Sequence, residues 1–396
     1  MNPSVKKLIE TASKESKLII GLMSGTSLDG LDIALAKVAG SGANTSVELL
    51  KFMTKDYQPE LKKRLKAISS VPQVSLEKVC LLHSKLAELH AEFILSALDQ
   101  WDITPNQIDC IASHGQTIYH APKIQHQQDD MPNTTLQIGD GDHLAHKTGI
   151  LTISDFRQKH TAAGGEGAPM VSFVDRALYT HKTKDRILLN IGGIANFTYL
   201  PSREKSAPVI TTDTGPGNTL IDASMQSYFS KPFDKDGQIA QSGSVHKLSL
   251  EKLKADPYFQ KPLPKTTGPE VFNLEWVQQQ LDTLETEQLA PKNLVATLTH
   301  LSAQTIAESI KKVVPNLTDT TIYVSGGGFH NPALMQGIAE SLPGCRIESF
   351  AEIGFDPDAK EAVLFAVLAN EMLSGEGFLM DTDKEKINFG KISFPS

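Results

Sequence analysis

Residues 18–32 read Leu-Ile-Ile-Gly-Leu-Met-Ser-Gly-Thr-Ser-Leu-Asp-Gly-Leu-Asp. An apolar run breaks into small, hydroxylated and acidic residues and then resumes at Leu31, Ile33, Ala34 and Leu35. That pattern predicts a strand, a tight turn and a second strand. Gly25 and Gly30 give the turn backbone that can approach a ligand closely or take a positive φ. Ser24, Thr26 and Ser27 supply hydroxyls, and Asp29 and Asp32 supply carboxylates. Such a turn can cradle phosphate while a carboxylate recruits Mg²⁺. The plain alternative is a hairpin with incidental polar residues, which so dense a set of chemical groups between two apolar strands disfavours.

With 396 residues the chain has room for two domains of ordinary size. A net charge of −8 without any basic tract argues against nucleic acid and anionic membranes as partners. Cys80, Cys110 and Cys345 are widely spaced and form no metal pattern, which fits a reducing compartment. No apolar run reaches the length of a membrane span, and the Lys- and Glu-rich start reads as a short amphipathic helix rather than a leader, so a cytoplasmic protein is expected.

Strand-like runs recur at 18–23, 31–37, 47–52, 108–112, 149–153, 186–191, 194–200, 207–212 and 321–325, with helical periodicity at 81–99, 294–314 and 359–373. The last of these is apolar nearly all round and reads as buried between layers. The stretches 121–135 and 201–207 read as surface loops. The expected class is α/β with mixed sheets. The hairpin has two weaker echoes: strand, Gly192-Gly193, strand across Leu188–Leu200, and strand, Gly326-Gly327-Gly328, helix from Tyr323 to Met335. Each alone could be an ordinary turn; the ordered trio suggests two related domains facing one nucleotide.

Four further segments carry chemistry. Ser113-His114-Gly115-Gln116-Thr117-Ile118 reads as a strand end that delivers ligand-binding groups, or as a polar loop. Arg157, beside a Gly-rich loop at 164–167, could hold a carboxylate bidentately or form a structural salt bridge with Asp155 or another acid. Asp213, before Gly215-Pro216-Gly217, suits a general base or a helix cap. Glu361, at the start of the apolar helix, needs a partner or a task, or faces the helix dipole. No Gly-x-Ser-x-Gly elbow, Walker-type Gly-Lys-Ser/Thr or histidine metal pattern occurs.

Taken together, Gly21–Asp32, Ser113–Ile118, Asn190-Ile-Gly-Gly-Ile-Ala-Asn196, Asp213-Thr-Gly-Pro-Gly-Asn218 and Gly326-Gly-Gly-Phe-His-Asn331 resemble the anhydro-N-acetylmuramic acid kinases, in that family's order and over nearly the whole chain. The resemblance implies the two-domain sugar kinase/Hsp70/actin-like (ribonuclease H-like) fold, with mixed sheets flanked by helices and ATP in an interdomain cleft. The expected domains are 1–155 with approximately 356–396, and 156–355. The implied reaction hydrolyses the 1,6-anhydro bond of 1,6-anhydro-N-acetylmuramic acid and phosphorylates O6, giving N-acetylmuramic acid 6-phosphate and ADP in peptidoglycan recycling. ATP and Mg²⁺ are the implied cofactors, and a homodimer the implied assembly.

Carried over residue by residue, the resemblance makes Asp213 the base and Glu361 a second acid near the chemistry. Gly25, Thr26, Ser27, Leu28, Asp29, Gly30, Leu31 and Asp32 would hold the β- and γ-phosphates, with Asp29 or Asp32 on the metal. Asn190, Gly192 and Gly193 would form a second phosphate loop. Gly326, Gly327, Gly328 and Asn331 would face the adenosine. His114, Gly115, Gln116, Thr117 and Arg157 would line the sugar site. The chain departs from the family's usual residues at Gly141, His160, Glu166 and Pro269. Two other readings are a kinase for another anhydro-sugar such as levoglucosan, and a nucleotide-binding regulatory module on the same superfold.

Overall fold

A computed structural model describes residues 1–25, 27–168, 170–205, 207–284, 289–353, 359–379 and 386–395. Thr26, and the expected domain edge near 356, lie outside them. The chain divides into two compact units, Met1–Leu178 with Asp358–Ser396, and Tyr179–Pro357. Among the described residues no helix is long and apolar enough to cross a membrane.

The first unit is built on β1 (Ser16–Ser24), β2 (Gly30–Ala39), β3 (Ser46–Asp56), β4 (Cys110–Ala121), β5 (Thr134–Ile138) and β6 (Thr152–Ser154). The antiparallel run β3-β2-β1 continues into the parallel pairs β1-β4 and β4-β6. The C-terminal strand Lys391–Ser393 closes the far edge on β6, and β5 pairs with the distal half of β4. Side chains alternate along β1. Ile20 and Leu22 join Ile33, Leu35, Leu86 and Ile94 in one core, beneath the helix Leu76–Gln100. Gly21 meets the other layer. A Cβ there would lie 1.9 Å from the Ala362 carbonyl oxygen, so glycine allows the helix Lys360–Ser374 to rest on the strand backbone. As its sequence implies, that helix is buried all round from Ala362 to Glu371.

The second unit holds β7 (Asp185–Ile191), β8 (Ile194–Leu200), β9 (Ile210–Pro216), β10 (Thr320–Ser325) and β11 (Arg346–Ser349), ordered β11-β10-β7-β8-β9. Its plan repeats that of the first: three consecutive antiparallel strands, then two parallel ones. The helices Pro291–Val313 and Pro332–Ser341 cover it through Ala303, Ile306, Ile310, Leu334 and Ile338. The class is therefore mixed α/β; among the described residues there are two large open sheets and a two-stranded pair, Phe378–Leu379 with Lys386–Ile387.

Three readings of local structure change. Residues 113–118 do not follow a strand but lie within β4, which runs on to Ala121 because β5 pairs with it. β5 and the short helix Lys123–His126 occupy part of the stretch expected to be a loop. The run expected at 207–212 is β9, three residues later, since Gly215 and Pro216 pair with Ala195 and Ile194.

Candidate functional site

The hairpin between β1 and β2 forms as expected, but by another device. Neither Gly25 nor Gly30 takes a positive φ; Leu28 does, at 60°. A left-handed leucine is unfavourable. It is held here because its side chain is 8% exposed and part of the core under the helix Leu76–Gln100. Gly30 permits a close approach, to the Lys55 carbonyl of β3 rather than to a ligand: a Cβ would sit 2.5 Å from that oxygen. The Gly25 carbonyl accepts from the Leu28 N–H at 3.2 Å, and the Asp29 carbonyl from the Tyr57 N–H at 2.9 Å. Leu31 is likewise a core residue, so it and Leu28 offer only backbone to a ligand. Ser27 is exposed.

The two hairpin carboxylates differ. Asp29 extends into solvent, 3.7 Å from Lys62. Asp32 is half-buried, and its Oδ1 accepts from Thr54 Oγ1 at 2.6 Å. Asp32 is also close enough to Glu361 to raise that acid's pKa electrostatically. Loss of solvent around Glu361 pushes the carboxyl up, Arg157 opposes the shift, and Asp32 adds to it. Asp32, Arg157 and Glu361 thus form one electrostatic group. Among the described residues no cluster of three His, Cys, Asp or Glu side chains forms a metal cage. Mg²⁺ needs no such cage, since it keeps several waters and phosphate oxygens. Asp32, a hard oxygen donor beside the turn, fits it better than Asp29.

Arg157 does not pair with Asp155. Asp155 binds Lys391, whereas Arg157, in the helix Phe156–Ala162, donates from Nε to His114 Nε2 at 2.7 Å and from Nη1 to the Gly167 carbonyl at 2.8 Å. A guanidinium can only donate, so His114 Nε2 is the acceptor. The proton is then on Nδ1, which donates to the Gly115 carbonyl at 2.9 Å. The ring is 3% exposed and lies 4.8 Å from the Phe365 ring of the apolar helix. Burial, then Arg157, lowers its pKa to about 3. Accordingly the His114 ring carbon resonances should stay constant between pH 5 and 8 in an NMR titration. A midpoint in that range would exclude this tautomer and the Arg157 contact it supports.

The other β4 candidates are engaged within the protein. Gly115 has a φ of 73°, and a Cβ would lie 2.6 Å from the Ile138 carbonyl of β5. Gln116 is fully buried, and Thr117 Oγ1 accepts from Gln137 Nε2 at 3.0 Å.

In the second unit the glycine turns converge. The Gly192 and Gly193 carbonyls accept from the N–H groups of Asn218 and Gly217, both at 2.8 Å. Gly326 has a φ of 84°, and a Cβ would lie 2.7 Å from the Ile191 carbonyl. A Cβ on Gly328 would strike the Ile191 side chain at 2.3 Å. The Asn190–Gly193, Gly215–Asn218 and Gly326–Gly328 turns therefore pack as one cluster. Ser325 Oγ donates to Asn190 Oδ1 at 3.3 Å. The Asn331 oxygen caps the helix Pro332–Ser341, accepting from the N–H groups of Ala333 and Leu334. Beside this turn lies a groove of about 480 Å³ lined by Phe329, Met335, Ile347 and Glu348.

Asp213 lies inside β9, not beyond it, and does not cap the following helix Thr219–Phe229, whose N-cap is Asn218. Its N–H donates to the Lys265 carbonyl at 3.0 Å, and its Oδ2 accepts from the Thr267 N–H at 2.9 Å. Burial raises its pKa, and the Thr267 bond partly opposes the rise. The segment that orients it is itself anchored. Lys265 is 7% exposed, donates from Nζ to the Tyr258 carbonyl at 3.0 Å and lies 4.3 Å from the centre of the Tyr258 ring. Burial, then Lys312 and Lys261, lowers its pKa to about 8. Sequence reasoning missed Tyr57, Thr54, Tyr258, Lys265 and Thr267. Tyr57, Thr54, Lys265 and Thr267 take their roles from partners at least 20 residues away in sequence, and Tyr258 anchors Lys265 from seven residues before it.

The departures at 141 and 160 are accommodated locally. A Cβ at Gly141 would come within 2.4 Å of Ser154 Oγ, so glycine suits the serines packed there. His160 meets Phe173 and Phe389 edge-on and accepts from the Gly167 N–H at 3.2 Å. Glu166 and Pro269 are exposed.

The family model described as "Anhydro-N-acetylmuramic acid kinase" matches residues 17–377. A Pseudoalteromonas atlantica protein of that name is 48% identical over 400 residues, covering 100% of both chains. A Caldanaerobacter subterraneus protein of the same name is 40% identical, over 93% of this chain and 94% of its own. Among solved structures, an activator of 2-hydroxyisocaproyl-CoA dehydratase from Clostridium difficile is similar at a TM-score of 0.39 and 10% identity, covering 90% of this chain and 95% of that one. At 48% identity over its full length, the chain belongs to the anhydro-N-acetylmuramic acid kinase family.

Proposed function

We propose that this kinase uses MgATP to open 1,6-anhydro-N-acetylmuramic acid with water and to phosphorylate the released O6, within the recycling of cell-wall sugars in the cytoplasm. The observation that carries the reading is Asp213. It is a half-buried carboxylate, oriented by the Thr267 N–H and with a raised pKa, at the motif position the resemblance assigns to the base. A base works best when its pKa approaches the working pH.

Asp213 takes a proton from water as the water oxygen bonds to the anomeric carbon. The C1–O6 bond breaks, O6 attacks the γ-phosphorus in line, and ADP leaves. Each bond broken supplies the next nucleophile, so positioning accounts for much of the acceleration. In this reading the β1–β2 turn binds the phosphates. Arg157 serves the lactyl carboxylate, with Glu361 as a neighbouring acid. In this reading Asp213 is the base, and the Asn190–Gly193 loop and the Gly326–Gly328 turn bind nucleotide. Mg²⁺, held through Asp32, neutralises phosphate charge when bound.

The reading is tested by following ADP with anhydro-N-acetylmuramate in ¹⁸O-labelled water, with the product analysed before its anomeric hydroxyl exchanges. One label at C1 per ADP is expected. Unlabelled product would reject water addition, and ADP release independent of any anhydro-sugar would favour a regulatory nucleotide-binding module.

A further inference from the structure

Four side chains, none more than 2% exposed, join the hairpin to the helix beneath it: Ser24, Tyr57, His90 and Gln116. Their proton positions can be deduced. Gln116 Nε2 lies 3.1 Å from the Gly25 carbonyl and 3.2 Å from the Thr117 carbonyl. Only an NH₂ group can face two carbonyls, so Gln116 Oε1 is the acceptor at the other end. Ser24 Oγ lies 2.5 Å from that oxygen and must donate to it. The one Ser24 proton is then committed, so Tyr57 Oη, at 2.8 Å, donates to Ser24. Tyr57 Oη in turn accepts from His90 Nε2–H at 2.6 Å. His90 Nδ1 has no hydrogen-bond partner among the described residues, as suits the bare nitrogen of this tautomer.

The result is a one-way chain, His90 to Tyr57 to Ser24 to Gln116 to the Gly25 carbonyl. The chain ends on the turn, where the Gly25 carbonyl receives its last bond. The Tyr57 backbone holds the Asp29 carbonyl. Nothing in the chain is charged near neutrality, since burial lowers the His90 pKa to about 3 and raises that of Tyr57. The hairpin is therefore held from beneath by neutral, buried bonds, while Ser27 in the turn is exposed.

We propose that His90, Tyr57, Ser24 and Gln116 are positioning residues that set the β1–β2 turn for phosphate before nucleotide arrives, and that Gln116 acts on this turn rather than on the sugar. The proposal rests on the phosphate-binding reading of the turn. Preorganisation of this kind acts on affinity by removing the ordering cost of binding.

The test uses the full chain with two variants, Tyr57→Phe, which removes a single oxygen, and Gln116→Met, of similar size. Hydrogen exchange of the Ser27–Leu31 amides is measured first without nucleotide. Exchange about tenfold faster than in the unaltered chain is expected for both, as for loss of one buried hydrogen bond, while amides of the Pro291–Val313 helix keep their rates. KM for MgATP should rise about tenfold in both, with KM for the anhydro-sugar within about twofold of its original value. Unchanged hairpin exchange, or a rise confined to the sugar KM in Gln116→Met, would overturn the proposal. MgATP added to the unaltered chain should slow exchange at Ser27–Leu31. Absence of that protection would instead remove the phosphate reading, whatever the variants do without nucleotide.

Discussion

Asp213→Asn should lower kcat with anhydro-N-acetylmuramate by about 10³–10⁴-fold while leaving nucleotide affinity unchanged, near the upper end for a general base. Asparagine keeps an oxygen for the Thr267 N–H and the pairing of β9, so the loss reports the proton and not the fold. The same substitution should raise stability at pH 7. A carboxyl whose folded pKa is raised stabilises the protein below its unfolded pKa. That contribution is lost as pH rises through the folded pKa, so at pH 7 the desolvated charge is a cost that asparagine removes. In the unaltered enzyme the acid limb of kcat/KM should fall as pH drops through a value above the ordinary aspartate range. Undiminished turnover in Asp213→Asn would remove this residue from the chemistry. Lost turnover together with a lowered melting temperature would show that the charge is structural.

Gly21→Ala should unfold or severely weaken the first unit, although it adds one methyl group. The new carbon would sit 1.9 Å from the Ala362 carbonyl oxygen and 3.2 Å from the Ala366 nitrogen. Both are backbone atoms of a buried helix, so no rotamer change relieves the clash and the helix must lift from β1. Overpacking of this kind costs about 3 kcal/mol or more. Glu361, one residue before Ala362, would move with the helix. Gly25→Ala is the matched control. Its nearest neighbour would be Ser27 Oγ at 3.7 Å, an ordinary contact, so its melting curve should overlay the original. Thermal melts followed by circular dichroism separate the two cases, and an unshifted Gly21→Ala melt would mean that the helix does not rest on the strand.

Much of this architecture is legible from periodicity. The β1–β2 hairpin, the helices Leu76–Gln100 and Pro291–Val313, and the all-round apolar helix Lys360–Ser374 follow from apolar spacing alone. Such elements are marked by local pattern. What the pattern hides is pairing. The distal half of β4 is a strand only because β5 lies beside it, and β5 comes from a stretch whose prolines and polar residues read as loop. The same limit applies at the site. The turn is legible as a phosphate candidate, yet its left-handed residue is Leu28, where a reader looks for glycine, because a core contact outweighs local backbone preference. His114 and Gln116 are legible as polar residues at a strand, but not their engagement with Arg157 and Ser24, which depends on residues 43 and 92 positions away.

The division of the chain also sets a timetable. The first unit is interrupted after Leu178 and resumes only at Asp358. A ribosome delivers β1 early, but must then make roughly 180 residues of the second unit before the helix Lys360–Ser374 and the edge strand Lys391–Ser393 emerge. At roughly 5–20 residues per second that gap lasts on the order of 10–40 s. Throughout it, the Gly21 face of β1 has no helix to cover it and β6 has no outer neighbour. The half of the protein synthesised first is thus the last to finish folding, and it is this nascent half that chaperones would have to shield.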